Sequence, residues 1–183
     1  MKDSRLSKNI NNKSIAIIGH MGSGKSILGK IISKKLKFEH IDSDVLIEQK
    51  SNKTIKDIFR INGEKEFRKI EEKIILDLNY KKNIVLSLGG GSILSSKIRD
   101  FLVKNFFTVF LDTDIDVLVN RLKNSIKRPL LLNTNIEKKI CELDAKRRKY
   151  YLMANFKLSN CEDLKEITTI FLENYKNYHE KNN

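Results

Sequence analysis

Apolar residues along this chain fall into two alternating patterns. Short runs at Ser14-Ile15-Ala16-Ile17-Ile18, Ile84-Val85-Leu86-Ser87-Leu88 and Phe106 to Leu111 have the length and make-up of buried strands. Phe38 to Ile41, ending at Asp42, and Phe156 to Leu158 are a second and a fifth candidate strand. Between them the apolar positions recur every three or four residues. Ile27, Leu28, Ile31, Ile32 and Leu36 form one stripe within Lys25 to Leu36, and Phe67, Ile70, Ile74, Ile75 and Leu78 form another. That spacing predicts helices. Helix-like periods also run near 96–104, 114–124, 136–153 and 163–178. A helical stretch follows Ser43, a short helix is expected from Thr54 to Phe59, and Asn62-Gly63 marks a turn. Strands alternating with helices imply an α/β fold of three layers, α/β/α, around a central parallel sheet of about five strands. Ligands of such sheets sit beyond the carboxyl ends of the strands, so the residues after each run are where chemistry is sought.

After the first run comes Gly19-His20-Met21-Gly22-Ser23-Gly24-Lys25-Ser26, which fits G-x-x-x-x-G-K-[ST] with the required strand before it and helix after it. Glycines let the backbone curl so that its N–H groups face phosphate oxygens, and the helix N-terminus adds positive potential. Gly22, Ser23, Gly24, Lys25, Ser26 and Ile27 are therefore candidate ATP-binding residues, with Lys25 reaching the β- and γ-phosphates and the Ser26 hydroxyl on Mg²⁺. Of the 8 glycines, three lie here and three more at Gly89-Gly90-Gly91, so glycine is concentrated where backbone must approach a ligand. Within this loop His20 is read as contributing its backbone more than its ring.

A phosphate loop says nucleotide and leaves the reaction open. Asp42-Ser43-Asp44 follows the second run. Asp42 could hold a water of the Mg²⁺ shell and Asp44 an acceptor hydroxyl. The same residues also suit a helix N-cap, and the two readings are compatible. Arg68, read alone, is a surface arginine with acidic partners at i,i+3 spacing. Gly89-Gly90-Gly91 reads alone as a turn, and Arg128 precedes the only proline in a polar loop.

Taken together the segments are similar to the shikimate kinase family: Gly22-Ser23-Gly24-Lys25-Ser26, Ile41-Asp42-Ser43-Asp44, Ile58-Phe59 with Gly63-Glu64-Lys65-Glu66-Phe67-Arg68, Leu88-Gly89-Gly90-Gly91, Arg128-Pro129-Leu130-Leu131, and Lys146-Arg147 followed by Tyr151. They come in the family's order over roughly residues 14 to 160. The resemblance implies a P-loop fold with a mobile lid, and transfer of the γ-phosphoryl group of ATP to the 3-hydroxyl of shikimate in the pathway to chorismate and aromatic amino acids. It implies that Asp44 binds shikimate hydroxyls and orients or deprotonates the attacking one. Arg68 and Arg147 would grip the carboxylate, and Gly90 would pack its backbone against the ring. Phe59 and Phe67 would wall the pocket. Arg121 would lie near the adenine, and Arg128, on a lid from about Lys123 to Ile136, would touch the transferring phosphate. Lys25, Asp44 and Arg128 are thus the expected catalytic groups, in an acceptor-binding region of about 42–80. The chain departs from the family at Lys149, where a proline is frequent, and near Asn160 to Glu162, where the adenine contact has no clear match.

Four of the eight arginines (68, 121, 128 and 147) fall at these positions, in a chain with 36 Lys and Arg together. Planar bidentate recognition of a carboxylate is what lysine cannot reproduce. Arg68→Lys is accordingly expected to raise the shikimate KM by about tenfold or more in a steady-state assay, and an unchanged KM would defeat the assignment.

Composition narrows the remaining choices. One domain over 14–178 is expected, after a polar extension over 1–13 expected to be disordered, with a transit peptide as the lesser option for that extension. No apolar run is long enough to span a bilayer. Two cysteines, Cys141 and Cys161, are too few for a disulfide framework and lack metal-ligand spacing with histidine. A reduced, cytoplasmic, monomeric protein without nucleic-acid or membrane partners is the expectation. The net charge of +13 admits nucleic-acid binding, and so a nucleotide-binding module rather than an enzyme. The lysines are scattered without a basic arm, however, which favours compositional drift. Kinases of gluconate or of nucleoside monophosphates are the alternatives among enzymes.

Overall fold

A computed structural model describes residues 13–123, 135–159 and 163–182. The expected N-terminal extension, the centre of the expected lid with Arg128, and Cys161 with its neighbours lie outside the described residues.

The five apolar runs form five strands: β1 Ser14–Ile18, β2 Glu39–Asp42, β3 Ile84–Ser87, β4 Phe106–Asp112 and β5 Phe156–Ser159. All pair in parallel in the order β2-β3-β1-β4-β5. The helices are α1 Lys25–Leu36, α2 Ser43–Ser51, α3 Ile55–Leu76, α4 Ser96–Asn105, α5 Ile115–Leu122, α6 Ile136–Tyr151 and α7 Leu164–Asn182. The alternation of side chains along each strand builds two cores. Ile15, Ile17, Val85, Phe107 and Val109 pack with Leu28, Ile32 and Phe171 of α1 and α7. Ala16, Ile18, Leu86, Phe106 and Phe110 face Ile75, Ile98, Leu102 and Tyr151 of α3, α4 and α6. The sheet is therefore the middle of three layers, as the period of the sequence implied. Among the described residues no helix is long and apolar enough to cross a membrane.

The expected turn at Asn62-Gly63 takes the form of a kink. Gly63 sits at φ 75 and ψ 171 inside α3, with helix on both sides. Before the kink Ile58 packs with Ile47 of α2; after it Phe67 and Ile74 join the same cluster while Ile75 packs against the sheet. α7 continues past the expected end at 178 to Asn182.

β1 has β3 on one side and β4 on the other although β2 follows it in the chain. The strand order thus reverses around β1, which opens a crevice at its carboxyl end. The loops that follow β1, β2 and β3 meet there.

Candidate active site

The phosphate loop is shaped by glycine at two positions where nothing else fits. Gly24 caps α1 in a left-handed conformation, φ 94. A Cβ on Gly19, at φ 145, would come within 2.7 Å of the Leu111 carbonyl oxygen. The first turn of α1 contains no acidic side chain, so its free N–H groups and dipole face the loop uncompensated. Lys25 is buried, and its ammonium donates to the carbonyls of Gly19 at 3.0 Å and His20 at 2.5 Å. The loop thus holds its own lysine where phosphate oxygens would take it.

The Ser26 hydroxyl donates to Asp42. The other oxygen of Asp42 accepts from the backbone N–H of Asp44 at 3.0 Å and of Val45 at 3.4 Å. Asp42 is therefore both the N-cap of α2 and the partner of Ser26. A hydroxyl and a carboxylate oxygen side by side at the phosphate loop form a hard-oxygen donor set that fits Mg²⁺, which takes one or two protein oxygens and completes its shell with phosphate and water.

The loop after β3 brings the acceptor residues together. A Cβ on Gly89 would lie 2.7 Å from Oδ1 of Asp44, 3.0 Å from Oε1 of Glu71 and 3.3 Å from Oγ of Ser92. One on Gly90 would lie 3.1 Å from the Met21 backbone nitrogen and 3.5 Å from Nη1 of Arg147, and one on Gly91 would overlap the Arg68 guanidinium. Three successive residues of one turn thus touch Asp44, Arg147 and Arg68, and the middle one also touches the phosphate loop. Any side chain on the turn would fill the space that these groups share.

Arg68 belongs to a tighter assembly than a surface arginine would. It donates to Glu71 at 2.6 Å and to Glu64 at 3.1 Å, its side chain is 24% exposed, and it lies 5.1 Å from the centre of the Phe67 ring. Glu71 is 1% exposed and also accepts from the Ser92 hydroxyl at 2.6 Å. Burial pushes the Glu71 carboxyl above its usual range against the pull of Arg68 and Ser92, with Asp44 adding repulsion. Burial also works to lower the pKa of Arg68, but its glutamates outweigh it and leave the guanidinium more firmly charged than usual. Phe59 stands 4.7 Å from Phe67, ring to ring, in the apolar cluster beneath.

Arg147 is the group least satisfied by the protein itself. It is 1% exposed, and its Nε and Nη1 have no hydrogen-bond partner among the described residues. Burial, with Arg68 adding to it, holds its pKa below the ordinary guanidinium value. A buried guanidinium with open donors is costly, and an anion is the chemistry that would satisfy them. Tyr151, one helical turn on, donates to the Gly90 carbonyl at 2.5 Å, and burial drives its phenol up to about 12 although Arg147 pulls the other way.

A separate cavity of about 260 Å³ is lined by Gly22, Gly24, Ile27, Leu28, Arg121 and Ile167, among others. Arg121 donates to the Gly22 carbonyl at 3.2 Å. A mixed apolar and guanidinium-lined space beside the phosphate loop suits a purine base.

The shikimate kinase family model matches residues 21–176. The chain belongs to the shikimate kinase family. A shikimate kinase of Persephonella marina is 40% identical over 147 residues, 80% of this chain and 88% of the relative. The solved shikimate kinase of Acinetobacter baumannii in complex with shikimate superposes with a TM-score of 0.84 at 31% identity, over 90% of this chain and 96% of that one. A gluconokinase from Sinorhizobium meliloti, TM-score 0.62 at 20% identity over 93% and 95% of the two chains, shares the fold alone. Membership accounts for the whole segment order, from the phosphate loop to Tyr151.

Two site residues escaped the sequence reading. Glu71 was visible only as an ion-pair partner, although it falls on the Phe67–Ile74 apolar stripe, where a carboxylate is out of place. The reading of His20 needs correction. Its ring is 4% exposed, with Nε2 2.8 Å from Oδ1 of Asp144. His40 reaches Ser87 at 3.0 Å, and His179 is packed against Tyr175 and Tyr178; both are structural.

Burial is the largest influence on all three histidines and holds each below its ordinary pKa. The unfolded chain takes up these protons near pH 6.5, while the folded protein resists until the pH is lower. The unfolded state therefore binds more protons in that window, and stability is lost as the pH falls through 6.5. The unfolding midpoint should drop by several degrees between pH 7.5 and 5.5 when followed by circular dichroism. A midpoint constant over that range would contradict the buried neutral imidazoles.

Proposed function

We propose that the protein transfers the γ-phosphoryl group of ATP to the 3-hydroxyl of shikimate, giving ADP and shikimate 3-phosphate. The observation that carries this reading is the buried Arg147, its open donors beside Gly90 and a few ångströms from the phosphate loop. A small hydroxy-acid offers that guanidinium a planar carboxylate, which the fork can hold through two charge-assisted hydrogen bonds.

In this reading Lys25 leaves the carbonyls of Gly19 and His20 for the β- and γ-phosphates, and loop N–H groups hold the rest. Ser26 and, through water, Asp42 would hold Mg²⁺, which would supply positive charge to offset that of the phosphates. Arg147 and Arg68 receive the shikimate carboxylate, with Glu71 holding Arg68 in place from below. Gly90 lets the ring lie against the backbone. Asp44 then accepts the proton of the 3-hydroxyl as its oxygen bonds to the γ-phosphorus and the bond to ADP breaks. The transition state is loose, so positioning and field supply most of the acceleration. Arg121 borders the base. Arg128, which lies outside the described residues, is assigned to the transferring phosphate. A monomeric, cytoplasmic enzyme is part of this reading.

A coupled assay of ADP release with ATP, Mg²⁺ and an acceptor panel of shikimate, gluconate and a nucleoside monophosphate tests the reading. Shikimate should be preferred by at least about a hundredfold in kcat/KM, within the range by which a fitted pocket separates related acceptors. Preference for either other acceptor would overturn it.

A further inference from the structure

His20 makes contacts from two ends. Its carbonyl accepts from the Lys25 ammonium at 2.5 Å. Its ring leaves the phosphate loop for α6, where Nε2 lies 2.8 Å from Oδ1 of Asp144 and the ring stands edge-on to Tyr151 with centroids 5.1 Å apart. An ionised carboxylate only accepts hydrogen bonds, so Nε2 carries the proton and the ring is fixed in one tautomer. Asp144 is anchored in turn by Arg148 at 3.4 Å, which also grips Asp112 at the end of β4 at 3.1 Å.

Asp144, Arg147 and Tyr151 follow one another at three- and four-residue spacing, so they share a face of α6. Arg147 has no partner among the described residues for Nε or Nη1. The direction of its fork is therefore set by where α6 sits rather than by bonds at those two nitrogens. Apolar contacts of Met21 with Ile140 and Leu143 bring helix and loop together, but such contacts are non-directional. The hydrogen bond from His20 is the directional one between the phosphate loop and α6, beside those that Tyr151 makes to the Gly90 carbonyl and Arg148 to Asp112.

We propose that His20 is a positioning residue, whose bond to Asp144 ties the phosphate loop to α6 and holds Arg147 in register for the acceptor carboxylate. The proposal rests on the shikimate reading above. It makes the residue that holds Lys25 through its backbone also set acceptor affinity through its ring. The two substrates are thereby linked by a contact that touches neither acceptor nor phosphate.

The test uses the full chain and four variants: His20→Phe, which keeps a ring and loses the donor; Asp144→Ala; the double variant; and His20→Gln, which restores a donor. Each is checked for a cooperative melt, and KM is measured separately for shikimate and MgATP. His20→Phe and Asp144→Ala should each raise the shikimate KM by about fivefold or more and move the MgATP KM by less than about twofold. The double variant should be no worse than the poorer single one, since both remove the same bond. His20→Gln should return the shikimate KM to within about twofold of the parent. A merely structural role would lower the melting temperature and disturb both substrates alike. Equal rises in both KM values, additive single effects, or an unchanged shikimate KM in Asp144→Ala would each overturn the proposal. If His20→Phe does not fold, Asp144→Ala and His20→Gln decide the matter. A parent protein that leaves shikimate unphosphorylated would overturn the acceptor reading and this inference with it. Turnover by the parent with unaltered variants would overturn the inference alone.

Discussion

Asp44→Asn should lower kcat by roughly 10²- to 10⁴-fold, the range for loss of a general base, while the KM for ATP moves by less than about twofold. The local structure isolates the effect. Asp44 lies in the first turn of α2, but the cap of that helix is Asp42, so the substitution leaves the helix terminus intact. The amide keeps the size of the carboxylate and its place beside Gly89. What it loses is the negative charge to which the proposed reaction assigns the hydroxyl proton. Removing that charge also takes repulsion away from the Glu71 carboxyl, which favours the ionised Glu71 and its pairing with Arg68. Shikimate binding should therefore be kept while turnover falls. Steady-state kinetics on the parent and the variant, with melting curves on both, checks this. A fall in kcat of under tenfold would leave Asp44 with no proton-accepting role.

The architecture was legible because it is written in short-range patterns. β1 and α1 follow from an apolar run of five and a stripe of period 3.6, and each depends on neighbours within the same element. The phosphate loop was legible for the same reason, since its glycines, lysine and serine are consecutive. Gly63 was readable as a break but not as a kink, because whether a helix resumes depends on what the next segment packs against, here Ile75 against the sheet and Ile74 against α2. The deeper layer of the site was not legible. Glu71 and Arg68 at i,i+3 spacing look the same on an exposed helix and on a buried one, and it is Ser92 and Gly89, arriving from another strand, that enclose the carboxylate. His20 was harder still. Its ring direction is decided by Asp144, 124 positions away, and nothing near it in the chain points there. Proximity of Arg147 to the phosphate loop could be expected from family likeness, whereas its empty donors are a property of the packed interior alone.

That emptiness has a consequence of opposite sign for folding and for binding. Arg147→Met should make the ligand-free protein more stable and should nearly abolish its response to shikimate. In the absence of ligand the fold buries a charged fork, 1% exposed, with Nε and Nη1 unpaired among the described residues. Each buried unsatisfied polar group costs about 1–3 kcal/mol, and well-packed apolar replacements of buried charge are often stabilising by about 1–4 kcal/mol. Methionine matches the length of the arginine stem and adapts to irregular space, so a gain of about 1–3 kcal/mol is expected, a rise of several degrees in the midpoint for a chain of this size. The acceptor carboxylate, by contrast, loses charge-assisted bonds of about 1.5–3 kcal/mol each. Two such bonds correspond to a shikimate KM higher by roughly 10²-fold or more. Thermal melts with and without saturating shikimate read both effects in one experiment. The parent should gain stability on adding shikimate by mass action, and the variant should start higher and not move. A variant that melts below the parent would show that the guanidinium is held for the fold. One that still shifts with shikimate would show that the carboxylate docks elsewhere. Only a site whose stability is given up in advance for its ligand produces the crossed result.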